Sequence, residues 1–145
     1  MEATPTSTDP RNAMNSTLLS LRPAIATVAA TPAESATEGQ FLHGTLRPLL
    51  KLQNELLLAA VADFVLDHHI ALAKASPADQ QRQLAELLTR NTKLRYTVVG
   101  LITGLFTNEE YAYYRANRSE LNRRLLELAR RRVLDQASRV VELVS

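Results

Sequence analysis

The sequence predicts an all-α protein, a compact bundle of four to five helices, and three observations carry that expectation. From Phe41 onward apolar residues recur at three- and four-residue steps, the spacing that lines one face of a helix. Leu, Ala and Arg dominate, while aromatics make up 5% of the chain and glycine only 4 of its 145 residues. That mixture favours helices and gives strands little to build on. No stretch shows the strict alternation of a half-buried strand. At this length the chain fits one domain with a real core.

Residues 1–40 read as a flexible, low-complexity tail and residues 41–145 as the helical bundle domain. The tail is rich in Thr, Ala and Ser and holds Pro5, Pro10, Pro23 and Pro32, four of the chain's 6 prolines. Such a composition lacks the apolar density to offset its ordering entropy. An apolar island, Leu18-Leu19 with Leu21 and Ile25–Val28, fits a docking segment less well than a simple tail.

The first helix is expected from about Thr45 to Ala75, with Leu46, Leu49, Leu57, Val61, Phe64, His68 and Leu72 forming its inward stripe. Pro48 falls in its first turn, where a missing N–H is harmless. Leu52, Leu56 and Leu58 widen the stripe. Ser76-Pro77-Ala78-Asp79 then opens a second helix, with Ser76 as N-cap, Pro77 at the first position and an acid in the first turn. It runs to about Arg90, where Asn91-Thr92 marks a break.

Leu94 to Phe106 is apolar on all sides and is expected to be the central buried helix. Gly100 and Gly104 lie four apart on one face, a spacing that permits close helix packing inside the bundle or a dimer seam. Each glycine costs a helix about 1 kcal/mol relative to alanine, which asks for a packing reason. Thr107 and Glu110 form a capping box for a short helix holding Tyr111, Tyr113 and Tyr114. The last helix is expected from Ser119 to Val144, with Leu121, Leu125, Leu128, Ala129, Val133, Ala137, Val140 and Val144 inward.

Charge departs from balance only in that last stretch. The chain as a whole carries +2, whereas Arg115 to Arg139 contains eight arginines against Glu120, Glu127 and Asp135. Arg115, Arg118, Arg123, Arg124, Arg130 and Arg131 are the candidate polyanion or partner face. Two readings stand. Helix ion pairs from Glu120 to Arg123 and Arg124, Glu127 to Arg131 and Asp135 to Arg139 give a self-paired, solvated surface. The unpaired remainder suits phosphates or an acidic protein. Tyr111, Tyr113 and Tyr114 are candidate aromatic anchors, for a base-stacking platform or for pinning the short helix to the core.

Other chemistries find little support. Without cysteine there are no disulfides or thiolate sites. His68 and His69 project about 100° apart on a helix and do not chelate one ion together, and Asp63 with Asp67 lacks further ligands. No metal and no cofactor is therefore expected. Glycine-rich phosphate loops, nucleophile elbows and zinc-hydrolase motifs do not occur, so no enzyme activity is expected. The tyrosine helix and its long successor fit a helix-turn-helix only superficially. Neither a basic export leader nor a run long enough to span a bilayer is present, so a cytoplasmic protein is the default.

The functional expectation is a non-enzymatic interaction or adaptor protein, self-associating as a homodimer. Leu126, Leu134, Val141 and Leu143 fall outside the inward face of the last helix, which leaves apolar surface for a partner. The alternative is an RNA- or DNA-binding module that uses the arginine-rich helix.

Overall fold

The computed structural model describes residues 10–23 and 38–145, and among these residues the protein is helical with no strand. The segments are α1 (Pro10–Ser20), α2 (Glu38–Phe41), a π turn (Leu42–Leu46), α3 (Arg47–Leu52), α4 (Asn54–Asp67), a 3-10 turn (Leu72–Lys74), α5 (Pro77–Arg90), α6 (Thr92–Thr103), α7 (Asn108–Ala116), α8 (Arg118–Asp135) and α9 (Ala137–Val144). The all-α class stands. The segments outnumber the four or five rods expected, because two of the long helices are cut and helix also forms at Pro10–Ser20 and Glu38–Phe41.

The core forms where α4 packs on α6 and α9, and α8 packs on α5 and α6. Leu49, Leu57, Leu58, Leu84, Leu94, Ile102, Leu121 and Leu125 are almost completely buried there. Removing such side chains from water contributes roughly 1.5–3 kcal/mol each, which makes this apolar face the main reason the short segments stay helical.

The first long helix differs most from expectation. Helix begins at Glu38 rather than Thr45, so Pro48 lies inside a helical stretch instead of in a first turn. A proline there lacks an N–H and crowds the carbonyl four residues earlier, on Gly44. The π turn immediately before Pro48 absorbs that conflict. It also fits the apolar spacing, since Phe41, Thr45 and Leu49, and likewise Leu42, Leu46 and Leu50, are buried at intervals of four. Four exceeds the 3.6 of an α-helix, and one wide turn keeps both rows facing inward.

The same rod is interrupted at Gln53 and ends at Asp67, not Ala75. Its end is a Schellman motif: the His69 N–H donates to the Leu66 carbonyl and the Ile70 N–H to the Val65 carbonyl, both at 3.1 Å. His69 takes the left-handed conformation this requires, at φ 53°. His68, expected on the apolar stripe, is therefore exposed at the helix end, in hydrogen-bond contact with the Phe64 carbonyl and the Asn91 side chain.

Local signals hold well. The Ser76 hydroxyl accepts the Asp79 N–H at 3.2 Å, and Asn91 ends α5 while its side chain accepts the Leu94 N–H to cap α6. The Thr107–Glu110 capping box is present in full. In α6 the expectation of an all-round buried helix fails. Leu94, Val98, Val99 and Ile102 face inward, but Arg95, Thr97 and Gly100 are exposed and Tyr96 retains 70% of its surface. An apolar-rich sequence does not bury every face when the bundle covers only one.

Part of the N-terminal stretch departs from a flexible tail. Within residues 10–23, α1 packs against α7 and buries Leu18, and the Asn15 side chain accepts the Asn108 N–H at 3.2 Å. The Ile25–Val28 half of the apolar island lies outside the described residues. Among the described residues no helix is long and apolar enough to cross a membrane.

Candidate functional site

Ion pairing divides the predicted arginine face. Arg123 donates to both oxygens of Glu120, as expected, and also approaches Glu127. Arg124 lies 3.6 Å from Glu38 and 3.9 Å from Glu127. The other three expected pairs are not made, since Arg124 turns to Glu38 and Glu127, Glu127 serves Arg123 and Arg124, and Arg139 forms a fork with Glu55. Those two Arg139 bonds, with help from Asn54, hold the Glu55 carboxyl down to about 2. Arg118 sits 5.6 Å over the Tyr114 ring and touches the Tyr111 hydroxyl at 3.4 Å. Arg115, Arg130 and Arg131 are exposed.

The tyrosines divide in the same way. Tyr114 is buried edge-on to Phe106 and donates its hydroxyl to Asn122 at 2.7 Å, and Tyr113 lies 4.9 Å from Phe41. Both therefore anchor α7 to the core. Tyr111 is 43% exposed, its ring 5.7 Å from that of Tyr114. The glycines do not serve close packing inside the bundle. Among the described residues nothing lies within 4 Å of a Cβ built on Gly100, and one on Gly104 meets only the Gly100 carbonyl of its own helix. They line a hollow of about 880 Å³ between α6 and α7, with Thr103, Tyr111, Ala112 and Arg115.

A second groove, about 660 Å³, runs between the π turn with α3 on one side and α8 on the other. Leu42, Leu50 and Leu128 give it apolar lining, and His43, Arg47, Arg124, Arg131 and Arg132 supply cations or polar nitrogen. Glu127, Asp135 and Gln136 complete the wall. The helical phase explains the gathering. Arg124, Leu128, Arg131 and Asp135 recur at three- and four-residue steps on one face of α8, while His43 and Arg47 lie four apart on the opposite wall.

Two helix interruptions build the end of this groove. Gln136, at the break between α8 and α9, and Asn54, just after the break at Gln53, exchange amide hydrogen bonds at 2.7 and 2.9 Å. The Asn54 oxygen also accepts from Arg132 at 3.2 Å. This pairing is the physical reason that the expected continuous helix from Ser119 to Val144 is cut at Gln136. Gln53 itself donates to the Leu101 carbonyl at 2.9 Å, which fixes the other break on α6.

Arg132 is held below its ordinary pKa, first by burial and next by the nearby Arg47 charge, with Asp135 opposing. Arg47 is in contact with His43 Nδ1 at 3.2 Å. The groove thus places cations from two separate elements in mutual repulsion over apolar lining. It can hold an anion that carries an apolar flank. Sequence reasoning missed Arg47, Arg132 and His43. The signal for the first and last was their spacing of four off the leucine rows.

Comparisons with protein-family models, curated proteins and solved structures return no match.

Proposed function

We propose that this chain is a non-enzymatic helical interaction module that docks an acidic segment of a partner protein in the groove between the π turn, α3 and α8. The carrying observation is the convergence of Arg47, Arg124, Arg131 and Arg132 on one groove that Leu42, Leu50 and Leu128 also line. Complementary charge steers and orients such a partner, and apolar contact at the groove holds it. An amphipathic helix with an acidic edge has that chemistry.

A nucleic-acid ligand is the weaker reading. Glu127 and Asp135 interrupt the arginines of the groove, so it offers a place for a localised anion and no continuous basic track for a phosphate backbone. Tyr113 and Tyr114, needed for base stacking, are packed into the protein. The deciding experiment is affinity capture from lysate with and without nuclease, using the wild type and an R47E/R131E variant. A partner captured despite nuclease and lost in the variant supports docking. Capture that needs nucleic acid, or that survives the charge reversal, removes it.

Self-association is a second reading, favoured by a different surface from the one expected. Leu126, Leu134 and Val141 are packed half-buried against the core, and only Leu143 of that set is exposed. Leu52, Leu56 and Leu66 instead leave 37%, 49% and 51% of their surface in solvent, spaced along one outward line of α3 and α4. Sedimentation equilibrium separates 16.1 kDa from twice that mass, and Leu56→Glu lowers any dimer to monomer.

A further inference from the structure

Resting on the docking reading above, we infer that Arg47, Arg131 and Arg132 form a subsite for a doubly charged tetrahedral oxyanion, the phosphoryl group of a phosphorylated serine or threonine on the docked segment. Three features of the groove lead there.

None of these three arginines has a carboxylate within ion-pair distance among the described residues, although Asp135 attracts Arg132 from farther off. Arg123, Arg124 and Arg139 each have a glutamate within reach. Arg47 instead contacts Nδ1 of His43, and Arg132 donates to the amide oxygen of Asn54. Arg131 makes no hydrogen bond or ion pair among the described residues, although it lines the groove. The groove thus gathers three guanidiniums that have no ion pair among the described residues, whereas Arg118 and Arg130 of α8, which also have none, lie outside its lining.

Arg132 is half-buried, and Arg47 is close enough for the two charges to oppose each other. Two guanidiniums held in repulsion cost free energy that a bound anion returns. Asn54 accepts from one nitrogen of the Arg132 head, while Gln136 donates to the Arg132 backbone carbonyl, so the remaining guanidinium donors are free to face the groove. Guanidinium forks of this kind recognise oxyanions through paired N–H donors.

The charge count selects the ligand. Three guanidiniums partly offset by Asp135, which lines the same groove, leave a surplus of about two positive charges, the charge of a phosphoryl group near neutral pH. A side-chain carboxylate brings one charge and two oxygens to three guanidiniums. A phosphoryl brings three terminal oxygens and neutralises the surplus.

The test is a titration of the full chain with inorganic phosphate at constant ionic strength, followed through the arginine Nε–Hε signals by NMR. Saturable shifts at Arg47, Arg131 and Arg132 are expected. In Arg131→Gln, whose side chain is exposed, affinity is expected to fall about tenfold with an unchanged circular dichroism spectrum and Tm. In the capture experiment, phosphatase treatment of the lysate is expected to abolish binding. A flat titration, or one that R131Q leaves unaltered, overturns the subsite. Phosphatase-resistant capture that R47E/R131E still abolishes also overturns it, and leaves the docking reading intact. Capture that R47E/R131E fails to weaken overturns the docking reading itself.

Discussion

Arg22 and Glu110 meet in a two-bond fork that ties the segment after α1 to the start of α7. The Arg22 side chain keeps 8% of its surface in solvent and that of Glu110 keeps 16%. Glu110 also accepts the Thr107 N–H at 2.9 Å and the Thr45 hydroxyl at 3.2 Å. One carboxylate thus joins the N-terminal helix, the capping box and the π turn. Glu110→Gln leaves the Arg22 charge buried without its partner, and the expected loss is about 3 kcal/mol in urea unfolding. Limited proteolysis of Arg22→Gln should cleave near α1 earlier than in the wild type.

The acid limb of stability follows from the same carboxylate and from Glu55. Burial pushes the Glu110 carboxyl up, but Arg22, the Thr107 amide and the Thr45 hydroxyl together bring it below its ordinary 4.5. Glu55 is lowered further, to about 2, by its hydrogen bonds to Arg139 and Asn54. A carboxyl whose folded pKa is depressed contributes stability that is complete above its unfolded value and is lost as pH falls through the folded one. Stability should therefore be level just above pH 4.5 as far as these two groups are concerned, and decline below it. Urea midpoints measured between pH 6 and pH 2.5 test this, and the decline should be shallower in Glu110→Gln.

How much of this was legible in the sequence depends on the range of the interaction. Ser76 and Thr107 cap helices through bonds to residues three away, so sequence alone located them, while at Asn91 it marked the break and not the cap. The interruptions at Gln53 and Gln136 depend on partners some 50 and 80 positions distant, and no local pattern marks them. Pro48 fits the first turn of a helix on local grounds, because its conflict with Gly44 arises only if helix precedes it. The groove was hidden for a related reason. Arg47 belongs to a stretch that looks like leucine-rich core, and only the packing of the π turn on α8 brings it beside Arg132.

Gly100 offers a test of what α6 does with its exposed face. It sits inside the helix, and a methyl group there meets nothing within 4 Å among the described residues. Gly100→Ala should raise stability by about 0.5–1 kcal/mol, because alanine loses less backbone freedom on folding. The expected gain appears as a higher urea midpoint with an unchanged slope. A loss would mean that another backbone approaches this face, and a shift to lower mass in sedimentation would identify that backbone as a second copy.

Asn54 connects the amide staple to the cations of the groove, and its substitution by aspartate separates fold from binding. The side chain keeps its shape, and its second oxygen replaces the amide nitrogen that donates to Gln136. Gln136 keeps its donation to one carboxylate oxygen, but the other faces the Gln136 Oε1, so one of the two staple bonds is lost. Arg132, which now donates to a neutral oxygen at 3.2 Å, gains a carboxylate instead. Such a charge-assisted bond is roughly twice as strong as the neutral one, and it cancels one positive charge of the groove. The proximity of Glu55, which accepts from Asn54 at 3.1 Å, adds an acid–acid repulsion in solvent, where it is weak. Asn54→Asp should therefore still fold, with a Tm modestly below that of the wild type for the lost staple bond. Its affinity for the captured partner should nevertheless fall about tenfold, because the incoming anion must compete with an internal one. Isothermal titration of wild type and variant at two salt concentrations checks this, with the larger difference expected at low salt.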